Sequence, residues 1–230
     1  MMKQLPLAIH LKDSATLADF NWENNPLLEQ QIADTLAFSG ERFLYLWGNP
    51  GCGKSQLLQA CCFTLDMGQT ASYLPLSLLK PWGVDAIEGL DEQTLLCLDD
   101  IHCIAGDSAW EEALFHLYNR IKDNPASLLI ITANQPPAQS GIQMPDLKSR
   151  LSACLVIQMH ELSDQQKLHM LIERANHRGF EIPGHVSQFI LNHCSRNMHD
   201  LADLLNTLDE ASLAAQRKIT IPFVKALLNL

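Results

Sequence analysis

Residues Gly48-Asn49-Pro50-Gly51-Cys52-Gly53-Lys54-Ser55 satisfy the pattern G-x-x-x-x-G-K-[ST], and the flanking segments restrict what this stretch can become. Before it, Phe43-Leu44-Tyr45-Leu46-Trp47 is a short apolar and aromatic run of buried-strand type. After it, Gln56-Leu57-Leu58-Gln59-Ala60-Cys61-Cys62-Phe63 spaces its apolar residues as a helix does. Strand, glycine-rich turn and helix, in that order, build a phosphate cradle. The glycines let backbone N–H groups converge on phosphate oxygens. The start of the helix adds the positive end of its dipole. Lys54 is spaced to reach the β- and γ-phosphates, and the Ser55 hydroxyl to coordinate Mg²⁺. The sequence therefore predicts a nucleotide site along Gly48, Asn49, Pro50, Gly51, Cys52, Gly53, Lys54, Ser55 and Gln56.

Composition narrows the class further. A hydrophobic content of 47% in 230 residues suffices for a packed core in one large domain or two small ones. The formal charge of −10 argues against a protein whose main task is gripping nucleic acid. The seven cysteines form no C-x-x-C pair and show no zinc-type spacing, which fits reduced thiols. His102-Cys103 alone is not a metal site. Met1-Met2-Lys3-Gln4-Leu5-Pro6 lacks a signal-peptide h-region, and no apolar stretch is long enough to span a membrane. A soluble, cytoplasmic protein is expected.

Periodicity predicts alternating strands and helices. Asn24-Asn25-Pro26 opens a helix to about Phe38. Strands are expected at Phe43–Trp47, Ala71–Leu76, Leu95–Asp100, Ser127–Thr132 and Cys154–Met159, with a helix over Ala109–Ile121. The implied fold is α/β, a parallel sheet flanked by helices. Beyond Met159 only helices are predicted. Ser163-Asp164-Gln165-Gln166 forms a capping box for one that ends at Gly179. Others start at Pro183, span Met198–Arg217, and follow Thr220-Ile221-Pro222. The expected division is a tail over 1–12, a nucleotide-binding domain over 13–160 and a small all-α lid over 161–230.

Three further features belong with the phosphate loop. Leu95-Leu96-Cys97-Leu98 ends in Asp99-Asp100, the Walker B pattern, about 45 residues after Lys54. Asp99 would hold Mg²⁺ and Asp100 would polarise the attacking water. Asn134 follows the fourth predicted strand, where ligands of open α/β sheets bind; it reads either as a γ-phosphate sensor or as a turn residue before Pro136-Pro137. Arg150 reads either as a finger reaching a neighbour's γ-phosphate or as a solvated surface arginine.

Together these segments resemble the AAA+ ATPases, and more narrowly the bacterial replication initiator DnaA, over about residues 14 to 218. Leu98-Asp99-Asp100-Ile101 is similar to that family's Walker B box, and Leu147-Lys148-Ser149-Arg150 to its arginine-finger box. Two features of the initiator are not matched. Ser77 to Gln93 leaves about 17 residues for its helical insertion before Walker B, and no helix-turn-helix is expected after the lid. The architecture is instead similar to the Hda family, DnaA-homologous regulators of initiation. The closing stretch Ala214 to Lys225 carries that resemblance most specifically. Gln4-Leu5-Pro6-Leu7 is similar to the short segments by which proteins dock on the replication sliding clamp, with Gln4, Leu5 and Leu7 as the contacts.

The resemblance implies a protein that binds ADP or ATP with Mg²⁺ and docks on the DNA-loaded clamp. It would present Arg150 in trans to ATP held by DnaA, touching DNA mainly through the clamp, and could form homo-oligomers. His199 occupies the place of the family's sensor-II arginine, and a neutral His offers less to a γ-phosphate. Trp22, beside Phe20 and Leu27, lies where the family's N-terminal segment approaches the base; it stacks there or packs locally. An autonomous AAA+ ATPase, such as a helicase loader or remodelling motor, is the alternative.

Overall fold

The computed structural model describes residues 16–65, 68–194, 198–215 and 218–228. Its first helix, α1 (Pro26–Leu36), starts with proline at a position where its missing N–H costs nothing. The strands are β1 (Phe43–Trp47), β2 (Ala71–Pro75), β3 (Leu95–Asp99), β4 (Leu128–Ala133) and β5 (Leu155–Gln158). They pair in the order β2-β3-β4-β1-β5, every pair parallel. Parallel pairing requires long crossovers, supplied by α2 (Lys54–Thr64), a short α3 (Leu76–Leu79), α4 (Ser108–Asp123) and α5 (Pro145–Ser152). β3 and β4 are buried along their whole length. Both faces of these strands are covered, which is why they are nearly unbroken runs of Leu and Ile.

Parallel strands end at the same edge. The register pairs Trp47 with Ala133 and Leu98 with Ile131. Gly48, the Asp99-Asp100 pair and Asn134 are thereby delivered to one edge of the sheet from three different strands. Sequence periodicity alone does not set that register.

Several boundaries differ from the sequence expectation for local reasons. α1 stops before Phe38, which takes φ 55° while Ser39 and Gly40 donate to the Asp34 carbonyl, a left-handed helix end. β2 ends at Pro75, which cannot donate to a ladder, and Leu76 opens α3. β3 ends one residue early, because Asp100 turns to φ 59°, ψ 49°. Between α3 and β3 the chain makes only three short 3₁₀ turns, over Lys80–Trp82, Val84–Ile87 and Leu90–Glu92.

The chain divides into two compact units, one running to Met159, the other from His160 together with Asn49–Gly53. The second unit consists chiefly of helices α6 (Asp164–His177), α7 (Gly184–His193), α8 (Met198–Ala215) and α9 (Ile221–Leu228). Leu171, Val186, Ile190, Leu201, Leu205, Leu208 and Val224 share its core. The capping box forms: Gln166 N–H donates to Ser163 Oγ at 3.3 Å, and Ser163 N–H to Gln166 Oε1 at 2.8 Å.

On α4, Trp110, Leu114, Leu117 and Ile121 turn inward, and Glu111 is buried with them. Its carboxylate is fully occupied by backbone. Oε1 accepts from Gly106 N–H at 2.7 Å and Gln143 N–H at 3.1 Å; Oε2 accepts from Gln143 N–H at 3.0 Å and Met144 N–H at 2.7 Å. One side chain thus ties the loop after β3 to the segment that enters α5. Glu111→Gln sets an amide NH₂ against these donors. We expect a loss of about 2–3 kcal/mol in stability, the scale of buried groups left unmatched. The urea midpoint, compared at constant slope, measures it; an unchanged midpoint would show that the anchor is dispensable.

Candidate nucleotide-binding site

The phosphate loop leaves β1 at Gly48, whose N–H donates to the Ala133 carbonyl at 3.2 Å. Gly51 and Gly53 adopt φ 88° and 94°, a region in which side-chain-bearing residues are strained. The motif fixes glycine at 53 for this reason, and Gly51 meets the same backbone demand at a position the motif leaves open. Lys54 begins α2, is 6% exposed, and donates from Nζ to the Gly48 carbonyl at 2.8 Å. Ser55 follows on the same helical turn, and Gln56 lies next to it, half-buried.

Asp99 is 2% exposed at the end of β3, with both carboxylate oxygens engaged. Tyr73 of β2 donates its hydroxyl to Oδ2 at 2.7 Å. Thr132 of β4 donates its own to Oδ1. Thr132 Oγ1 also accepts from Asp100 N–H at 3.0 Å, so one hydroxyl places both acids. Burial, then the Asp99 charge, push the Tyr73 phenol up, while hydrogen bonding with Gln59 and Ser55 pulls it down. Ser55, Tyr73 and Asp99 therefore form one polar cluster.

Asp100 leaves the sheet in the left-handed conformation, which non-glycine residues seldom adopt and which recurs at functional sites. Burial raises its carboxyl above the usual range, the Asp99 charge raises it further, and His102 and Lys54 oppose both. A carboxylate held this way is a better proton acceptor than a solvated one. Asn134, just past β4, is half-buried and donates through Nδ2 to His102 Nε2 at 2.8 Å. Tyr45, fully buried on β1, donates its hydroxyl to the Gln135 carbonyl at 2.9 Å and so steadies that turn.

Lys54, Ser55, Asp99, Asp100 and Asn134 are thus brought to one sheet edge. Tyr73, Thr132 and His102 join them without having been expected. Thr132 carried a signal, a lone hydroxyl in a buried Leu and Ile run; Tyr73 and His102 carried none. Arg150 sits apart on α5, half-buried, and no carboxylate pairs with it among the described residues. Trp22 packs on Phe20 with ring centroids 4.5 Å apart and donates its indole N–H to the Leu17 carbonyl at 3.2 Å. The side chain of His199, in the first turn of α8, lies outside the described residues, as do Gln4, Leu5 and Leu7.

Among the described residues no group of three His, Cys, Asp or Glu could hold a metal by itself. Ser55 and Asp99 nevertheless offer the hard oxygens that suit Mg²⁺, an ion that arrives with phosphates and keeps several waters. Each Asp99 oxygen accepts one hydrogen bond and keeps a second lone pair, so the carboxylate fits either a direct contact with the ion or one through its water. Among the described residues, no helix is long and apolar enough to cross a membrane.

Comparison with known proteins agrees with this geometry. The family described as the Hda lid domain matches residues 164–228, and the bacterial DnaA ATPase domain matches residues 86–158. An uncharacterized protein of Haemophilus influenzae is 42% identical over 231 residues, across the whole of both chains. Domain III of the Thermotoga maritima replication initiation protein DnaA shares the fold at a TM-score of 0.77 and 18% identity, covering 94% of this chain and 96% of that one. AMPPCP-bound DnaA from Aquifex aeolicus does so at 0.72 and 20% identity, covering 86% of this chain and 66% of that one. A phosphate loop, a Walker B strand end and a helical C-terminal unit on this sheet order define an AAA+ protein of the nucleotide-binding, DnaA-like type. Within that class, the chain belongs to the Hda-like, DnaA-homologous AAA+ proteins.

The raised Asp100 carboxyl has a measurable consequence. Between its unfolded value, about 3.9, and its higher folded value, the native state holds more protons than the unfolded one. Stability then falls as pH rises through that window, and the deficit persists above it. Asp100→Asn removes the charge and suits φ 59°. The nucleotide-free variant should melt above the unaltered protein at pH 8, with the gap narrowing as pH falls toward 4. A gap that stays constant, or has the opposite sign, would contradict the burial account.

Proposed function

We propose that the chain is a regulator of the replication initiator DnaA that acts by completing an ATP site on DnaA itself. In this reading a tail at 1–12 docks through Gln4, Leu5 and Leu7 on the DNA-loaded sliding clamp. A domain over 13–160 binds ADP or ATP with Mg²⁺, and a lid follows over 161–230. The protein works in the cytoplasm, meets DNA mainly through the clamp, and can form homo-oligomers. Arg150 then reaches the γ-phosphate of DnaA-bound ATP, and hydrolysis there switches the initiator off and prevents re-initiation.

The observation that carries this reading is Arg150. A guanidinium held half-buried on a short helix, with no carboxylate partner among the described residues, keeps its charge available to an external anion. Glu111 supports it by fixing the segment from which that helix starts. The chemistry asked of this chain is electrostatic. A finger stabilises charge spreading over the transferred phosphoryl group and contributes about 10³–10⁵ in rate. Its own loop needs only to keep a nucleotide bound, so weak intrinsic turnover is consistent with the regulator.

Hydrolysis of DnaA-bound ATP, measured with and without clamp-loaded DNA, tests the reading. The regulator should accelerate hydrolysis only when the clamp is present. Arg150→Ala should lower the stimulated rate by about 10³-fold or more while ADP affinity is retained. Deleting residues 1–12 should remove the clamp dependence together with the stimulation. Strong ATP turnover by this chain alone, with no effect on DnaA, would instead establish an autonomous ATPase.

A further inference from the structure

His102 lies between two groups of the candidate site. Asn134 donates to its Nε2 at 2.8 Å. An amide nitrogen offers only N–H donors, so Nε2 is the acceptor, and a neutral imidazole that accepts there carries its proton on Nδ1. Nδ1 is buried and makes no hydrogen bond among the described residues. It stands 3.9 Å from Asp100 Oδ1, whose charge favours a proton on that side of the ring. Asp100, His102 and Asn134 therefore form a polar chain from the end of β3 to the end of β4.

That chain bears on the phosphate loop. The residue before Asn134, Ala133, accepts from Gly48 N–H, so the sensor position begins beside the first residue of the loop. The terminal torsion of an asparagine is broad; by itself the amide would sample many orientations. A hydrogen bond from one amide N–H to a fixed ring sets the amide plane and hence the direction of the second N–H.

We propose that His102 is a positioning residue for nucleotide discrimination: it orients Asn134 so that the free amide N–H meets the terminal phosphate of a triphosphate. The inference rests on the nucleotide-binding reading of the loop and is independent of any action on DnaA. A diphosphate lacks the group addressed and gains nothing from the arrangement. His102 thus sets the ratio of triphosphate to diphosphate affinity and leaves general binding alone.

Calorimetric titration with Mg·AMPPCP and Mg·ADP tests this. His102→Phe keeps a ring but removes the acceptor. It should weaken AMPPCP binding by about three- to tenfold, the scale of one hydrogen bond, and leave ADP affinity within about twofold. Retained ADP binding shows that the fold survives. His102→Gln, whose carbonyl oxygen can accept, should recover part of the loss. Asn134→Ala should cost AMPPCP the same amount, and the double variant no more than either single one, because the two side chains act as a unit. Equal losses for both nucleotides, or losses that add in the double variant, would overturn the proposal. Failure of the unaltered protein to bind either nucleotide would overturn the loop reading beneath it.

Discussion

The Thr132 hydroxyl holds the nucleotide edge of the sheet together. It donates to Asp99 and accepts from Asp100 N–H, so the last residue of β3 and the first residue beyond it are both referenced to β4. Because β4 also pairs with β1, and the Ala133 carbonyl accepts from Gly48 N–H, the start of the phosphate loop is referenced to the same strand. The two acids, the loop and Asn134 therefore take their positions from β4. A buried hydroxyl with one donor and two acceptor sites suits this place, since it satisfies an anion and a backbone N–H together.

Glu111 plays the corresponding part on the other side of the acids. It accepts from Gly106 after the 3₁₀ turn that follows Asp100, and from Gln143 and Met144 before α5. The loop that follows β3 and the segment leading to Arg150 thus share one anchoring side chain. A carboxylate gives this link direction, because its four acceptor sites fix three backbone N–H groups at once.

How much could be read beforehand depended on where the chemistry was written. Gly48, Gly53, Lys54 and Ser55 are required by phosphate geometry at fixed spacing, so they were visible without any fold. Asp99-Asp100 were visible because the strand they end follows a phosphate loop about 45 residues upstream; a buried strand that ends in Asp is by itself a weak signal. Thr132, Tyr73 and His102 act across strands or loops, and their partners depend on register, which apolar runs such as Leu128-Leu129-Ile130-Ile131 leave open. Glu111 could have been found by wheel position, since it shares the inner face of α4 with Trp110, Leu114 and Tyr118. The left-handed residues Phe38 and Asp100 were invisible for another reason: helix and strand ends depend on which backbone groups find partners.

The two adjacent acids show how one strand end can supply unlike groups. Asp99 points into the sheet and has an O–H donor on each oxygen. Asp100, turned out of the strand by its left-handed backbone, has no hydrogen bond to its carboxylate among the described residues, and burial together with its neighbour's charge raises its carboxyl. The backbone turn is therefore chemical in effect: without it the second acid would continue the strand and alternate to the opposite face. Lys54 and His102 both act on Asp100, the first from the phosphate loop and the second from the turn that bonds Asn134. The phosphate-loop lysine and the residue that bonds Asn134 thus lie within electrostatic reach of the same carboxylate.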